Sequence, residues 1–188
     1  MLSSKVDFES FQGVISMNRR DFLRHGLTAA GVALAPFPLL ASPSTEGEDA
    51  AAQFLANSFP DLHGEPVALS RFAGKPLVVN FWATWCAPCV KEMPDLDALS
   101  KKHPGIGFLG LAVDTQANVE RFIKKVQVSY PLLVAGHSAI EKMKALGNRK
   151  GGLPYTVIFD SESRVARDIL GQVDSVDLDS YLASISKA

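Results

Sequence analysis

Cysteine is scarce in this chain, with two among 188 residues. Two cannot build the dense disulfide framework of a small secreted scaffold, nor a four-cysteine zinc site. A charge excess is also missing: 19 Lys plus Arg stand against 20 Asp plus Glu, a formal net charge of −1. Nucleic-acid binders usually carry a basic excess, so no nucleic-acid partner is expected. A permanent membrane anchor is the weaker reading of the one apolar run. The uncharged stretch from Gly26 to Ser44 is interrupted at Pro36 and Pro38, short of the ~20 apolar residues that cross a bilayer as a helix. What remains is an ordinary globular balance, 47% apolar and 21% charged, which allows one domain and an extra segment.

The extra segment is N-terminal. Met17-Asn18-Arg19-Arg20-Asp21-Phe22-Leu23-Arg24 precedes the uncharged stretch, and a basic start with a short apolar run is the layout of an export signal. Arg19-Arg20, a polar residue and Phe22-Leu23 resemble the twin-arginine motif, which implies export of folded protein across a bacterial inner membrane to the periplasm. The competing readings are an ordinary signal that happens to hold two arginines, and an uncleaved signal serving as an anchor. Residues 1–41 are thus expected to be extension and signal, with cleavage near Ala41 and Met17 as an alternative start. Setting them aside removes Lys5, Arg19, Arg20 and Arg24 against Asp7, Glu9 and Asp21, and leaves the rest mildly acidic.

Residues 42–58, opening Ser-Pro-Ser-Thr-Glu-Gly, read as a flexible lead-in, and 59–188 as the domain. One or two short strands are expected between Phe54 and Phe72, where apolar groups are broken by Pro60, His63-Gly64 and Pro66. Leu77-Val78-Val79-Asn80-Phe81-Trp82 is β-branched and aromatic without alternation, the pattern of a buried central strand. Val90, Met93, Leu96 and Leu99 then form a helical stripe over about 86–102, with Pro94 inside it as a source of a kink. A second buried strand is expected over Ile106–Val113. Val119, Phe122, Ile123 and Val126 mark a helix, Leu132–Val134 a short strand, and Ser138–Leu146 a helix closed by Gly147. Tyr155–Phe159 and Val165–Leu170 flank a turn and suggest a hairpin. Leu178, Tyr181, Leu182 and Ile185 stripe a last helix capped by Asp174 or Ser175. The order predicts a layered α/β domain with a mixed sheet and helices on both faces.

The two cysteines stand together as Trp85-Cys86-Ala87-Pro88-Cys89, between a strand and a helix. The first turn of a helix offers unpaired N–H groups and the positive end of its dipole, so a Cys86 thiolate is stabilised there. Spacing by one helical turn lets both sulfurs meet within disulfide distance. Cys86 is expected to be exposed and to attack, Cys89 to be buried and to resolve the mixed disulfide. A zinc half-site needs two more ligands, and His63, His103 and His137 are scattered singly, so no metal is expected. An inert structural bridge is the other alternative, but so short a loop restricts the unfolded chain little.

Val79-Asn80-Phe81-Trp82-Ala83-Thr84-Trp85-Cys86-Ala87-Pro88-Cys89-Val90-Lys91-Glu92-Met93-Pro94 resembles the thioredoxin-like proteins of the TlpA/ResA type, over a span from about Leu62 to the C-terminus. The resemblance implies a thioredoxin-like fold, a central mixed sheet flanked by helices, with an N-terminal strand extension and a central insertion from Asp114 to Ala135. It implies an exported thiol–disulfide oxidoreductase, usually a reductant, whose only redox group is the Cys86–Cys89 pair and which needs no other cofactor. Gly151-Gly152-Leu153-Pro154-Tyr155-Thr156 matches the segment that carries a cis-proline opposite the cysteines. Pro154 then takes that role, and the Leu153 backbone pairs with an extended stretch of the partner as an added strand. Glu92 matches a functional acid that exchanges protons with the buried Cys89. Ordinary thioredoxins carry a buried Asp in the preceding strand where this chain has Asn80, which cannot titrate. Trp85, Ala87 and Pro88 are expected to contact the partner. The implied partners are disulfides of exported proteins, of the cytochrome c or copper-site assembly type, and a membrane thiol reductase as electron donor. A monomer is expected. A disulfide-donating oxidant and a non-catalytic binding module on the same fold remain the alternatives.

Overall fold

Leu77–Trp82 is buried at every position, which is why its sequence shows no alternation. It is the central strand, β3, of a five-stranded sheet in the computed structural model, which describes residues 46–186. The signal and twin-arginine motif expected over residues 1–41 lie outside the described residues.

Before β3 come helix α1 (Glu46–Leu55), strands β1 (Ser58–Pro60) and β2 (Pro66–Ala68), and a 3-10 turn at Leu69–Phe72. After it follow α2 (Ala87–Lys102), β4 (Gly107–Ala112), α3 (Gln116–Ile123), β5 (Leu132–Val134), α4 (Ala139–Ala145), β6 (Tyr155–Phe159), β7 (Val165–Leu170) and α5 (Ser175–Ile185). The sheet order is β5-β4-β3-β6-β7. β3, β4 and β5 run parallel, while β6 pairs antiparallel with both β3 and β7. β1 and β2 form a separate antiparallel hairpin. The mixed α/β sandwich is the one expected, and no helix among the described residues is long and apolar enough to cross a membrane.

Alternate residues of β3 feed two cores. Leu77, Val79 and Phe81 meet α1 and α4, while Val78 and Trp82 meet α2, α3 and α5. Gly110 in β4 keeps that second face open: a Cβ there would lie 2.4 Å from Leu132 Cδ2 and 3.2 Å from the Trp82 indole nitrogen. Gly147 ends α4 with φ 115°, the left-handed conformation that glycine adopts without steric cost.

The lead-in expected over 42–58 is corrected from Glu46 onward. Ala51, Phe54 and Leu55 recur at i, i+3, i+4 and are buried. Phe54 stacks on Phe159 at 5.7 Å between centroids and tilts onto Phe81 at 5.8 Å. Burial of that apolar stripe makes α1 part of the domain core rather than a tether.

Candidate active site

The turn after β3 delivers Cys86 to the start of α2. Cys86 is the N-cap, and its Sγ accepts from the Cys89 N–H at 3.3 Å. Ala87 and Pro88 follow in the first turn, where a missing N–H costs nothing and the fixed φ of proline suits the helix. One turn on, Cys89 is bonded to Cys86, with S–S 2.01 Å and Cα atoms 5.3 Å apart. The exposed Cys86 expected from the sequence is corrected: it is 5% exposed in this oxidised state, against 0% for Cys89. Capping the helix and bonding to Cys89 turn its side chain into the core cluster with Cys89 and Met93. The open part of the motif is Trp85, 69% exposed, with Ala87 and Pro88 beside it.

The Leu153–Pro154 peptide is cis. Phe81 of β3 pairs with Tyr155 of β6, so Pro154 stands at the end of the sheet from which the cysteine turn leaves. Pro154 is buried and its carbonyl accepts from Gly171 N–H at 2.9 Å, while Leu153 is half-buried between the two cores.

Glu92 lies one turn after Cys89 and is fully buried. Its Oε1 accepts from Asn80 Nδ2 at 2.8 Å and its Oε2 from the Val173 N–H at 2.9 Å. Burial raises its pKa above the ordinary carboxylate value. The Val173 and Asn80 hydrogen bonds oppose that shift, and the charge of Asp95 adds to it. Asn80 also donates to Thr156 Oγ1 at 3.0 Å, its register partner across the sheet. A carboxyl raised by desolvation keeps its proton to a higher pH than a solvated one.

A second buried carboxyl anchors the turn itself. Asp114, 3% exposed, accepts from Thr84 N–H at 3.1 Å and Thr84 Oγ1 at 2.5 Å with one oxygen. The other accepts from Thr115 N–H and Asn118 Nδ2, both at 2.7 Å. Burial pushes its pKa up, but the bonds from Thr84, Asn118 and Thr115 outweigh it and hold the group below the usual value. Thr84 lies two residues before Cys86, so this carboxylate ties the cysteine turn to α3. Asp114→Ala leaves those donors without an acceptor and is expected to cost about 3 kcal/mol, read from a denaturant midpoint. Because the folded pKa is depressed, the stability Asp114 adds is present above its unfolded pKa and lost as pH falls through the folded one. The variant should therefore lose less stability on acidification than the parent.

The Redoxin family profile matches residues 45–185. The chain belongs to the Redoxin family. It is 34% identical over 131 residues to the thiol-disulfide oxidoreductase ResA of a Bacillus cereus strain, covering 67% of this chain and 72% of that protein. A thioredoxin-related protein from Neisseria meningitidis serogroup B superposes with TM-score 0.62 at 31% identity, over 69% of this chain and 99% of that one. A thiol:disulfide interchange protein of the thioredoxin family from Chlorobium tepidum TLS gives 0.60 at 29%, over 70% and 94%. This Redoxin-family protein is a ResA-type thiol–disulfide oxidoreductase with a thioredoxin-like fold.

The structure brings Cys86, Cys89, Glu92 and Pro154 to one end of one sheet. It also adds residues that the sequence does not single out. Val173 contributes a backbone N–H, which no side chain advertises. Thr156 stands in the proline segment but shows its partner only through strand register. Asp114 precedes a helix and looks like a capping residue.

Proposed function

We propose that this oxidoreductase works in the periplasm as a reductant of disulfides in exported proteins. The observation that carries the proposal is the Cys86–Cys89 bond at the start of α2 with the buried Glu92 one turn beyond. In the reduced protein the Cys86 thiolate attacks one sulfur of a substrate disulfide. A Cys86–substrate bond forms, the substrate bond breaks, and the leaving thiolate takes a proton from water. Cys89 then gives its proton to Glu92 and attacks Cys86 Sγ. The Cys86–Cys89 bond forms and the second substrate thiolate leaves. Two electrons pass from the dithiol to the substrate, and a membrane thiol reductase restores the dithiol. Leu153 and Pro154 present the backbone against which the substrate lies as an added strand, and Trp85, Ala87 and Pro88 contact it. The resemblance of the motif around Cys86 to the TlpA/ResA type is what suggests substrates of the cytochrome c or copper-site assembly type. The paired arginines at 19 and 20 support export by the twin-arginine route.

Cys89→Ser removes the resolving thiol and is expected to lock Cys86 in mixed disulfides with natural substrates, identified by mass spectrometry of the trapped adducts. The direction is tested by equilibration with glutathione. A potential near the ~−270 mV of thioredoxin supports the reductant, and one near ~−120 mV establishes the disulfide donor instead.

A further inference from the structure

We propose that Asn80 is a positioning residue whose side-chain amide makes a half-turn each time Glu92 gains or loses its proton. The inference rests on the proposed role of Glu92 as the group that takes the Cys89 proton.

Asn80 is 2% exposed. One of its atoms, Nδ2, makes both of its contacts, donating to Glu92 Oε1 and to Thr156 Oγ1. The other, Oδ1, is buried without a hydrogen-bond partner. The second Glu92 oxygen faces another donor, the Val173 N–H. An ionised carboxylate only accepts, so donors on both oxygens suit it. A protonated carboxyl must donate one bond, and neither Val173 N–H nor Asn80 Nδ2 accepts. With Asn80 fixed, neither hydrogen-bond partner of Glu92 accepts its new O–H.

A half-turn of the Asn80 amide removes the conflict. Oδ1 then stands where Nδ2 stood and accepts the O–H of Glu92. The Thr156 hydroxyl, which both donates and accepts, reverses its role and donates to the same oxygen. Both contacts persist with their polarity inverted. The terminal amide torsion is broad and roughly two-fold, so the half-turn ends in a second well. The turned amide moves Nδ2 to the unpartnered place of Oδ1, which makes it the costlier of the two states and favours return when the proton leaves.

The titratable groups around Glu92 are few. Asp95 on its own helix acts on it through charge, and Tyr130, from the segment before β5, has its hydroxyl proton held more tightly by burial and by the charges of Asp97 and Glu92. Cys89, one turn earlier on α2, is bonded to Cys86 in the oxidised protein. The loop before α5 offers Glu92 only the Val173 backbone.

The test is an NMR titration of the oxidised full-length chain, with the Asn80 side-chain amide and the Glu92 carboxyl carbon both observed. The expected result is close contact between the Asn80 amide protons and the Thr156 methyl above the Glu92 titration, lost below it. Contacts that stay the same on both sides of the titration overturn the proposal. Glu92→Gln gives a second reading. The introduced amide keeps a carbonyl for Val173 and donates to Asn80, so Asn80 is expected to be turned at every pH, with the melting temperature within ~5 °C of the parent. An unturned Asn80 in that variant, or one that still follows pH, overturns the proposal. Where that variant does not fold, the parent titration decides alone. Neither measurement uses a substrate, so a potential in the oxidant range would overturn the reductant reading and leave this result standing.

Discussion

Cys86→Ser is expected to lower turnover of a protein disulfide at least about 10³-fold while leaving the protein folded, since residues that act as a catalytic unit lose nearly everything with one member. The nucleophile in thiol–disulfide exchange is a thiolate, and a serine hydroxyl does not ionise at neutral pH. The N-cap position explains what is lost. In the oxidised protein Cys86 Sγ accepts from the Cys89 N–H at the positive end of α2, and the same N–H is in place to stabilise the thiolate after reduction. Serine is a good N-cap, so the helix start survives the change. The lost bridge spans a sequence separation of 3 and contributes less than the ~3 kcal/mol of a 15-residue loop. A melting curve close to that of the reduced parent, beside absent turnover, separates lost chemistry from lost structure. Cys89→Ser provides the contrast, because it keeps the first half-reaction and stops at the mixed disulfide. Equal turnover in the Cys86→Ser variant and the parent would remove Cys86 from the mechanism.

The parts of this domain that bury one continuous apolar pattern are legible in the sequence. β6 and β7 span the residues that the hairpin pattern marks, and Asp174 caps α5 by accepting from Val176 and Asp177 N–H groups. α1 is not legible in that way, because Glu46-Gly47-Glu48-Asp49 reads as linker. Its stripe of Ala51, Phe54 and Leu55 gains a meaning only once Phe81 and Phe159 are placed beneath it. The site shows the same division. The cysteine spacing and Glu92 are local along one helix, so pattern alone brings them together. Asn80 and Val173 reach Glu92 from a strand and a loop, and Thr156 reaches Asn80 from the antiparallel neighbour, at separations that no local pattern carries. The exposure of Cys86 escapes the sequence for a related reason: helix-end position says which sulfur is nearer the surface, and the disulfide decides how much of it remains there.

Asn80→Asp is expected to make the stability of this protein fall steeply with rising pH. The substitution sets a second carboxyl within about the 2.8 Å that now separates Asn80 Nδ2 from Glu92 Oε1, with both residues almost fully buried. Two unit charges at that distance repel by about 6 kcal/mol even at an effective dielectric of 20, so the pair holds one proton between them. Its upper titration step belongs to the pair and lies above the already raised value of Glu92 alone. The unfolded chain has no such constraint and releases both protons at ordinary carboxylate values. The folded state therefore binds the extra proton, and the sign follows. Stability is retained below the unfolded carboxylate range and is lost as pH rises through the folded pKa of the pair. The loss is complete once the pH passes that step. Denaturant midpoints across pH 4 to 8 measure it, with variant and parent close at the acid end and far apart at the alkaline end. A pH dependence parallel to the parent's would show that the two side chains do not share a proton. The same substitution fixes an acceptor where Asn80 offers either polarity. It welcomes the O–H of a protonated Glu92 and the hydroxyl of Thr156, but it opposes release of the proton. Resolution of the mixed disulfide by Cys89 should then slow at neutral pH, because its proton acceptor is already occupied.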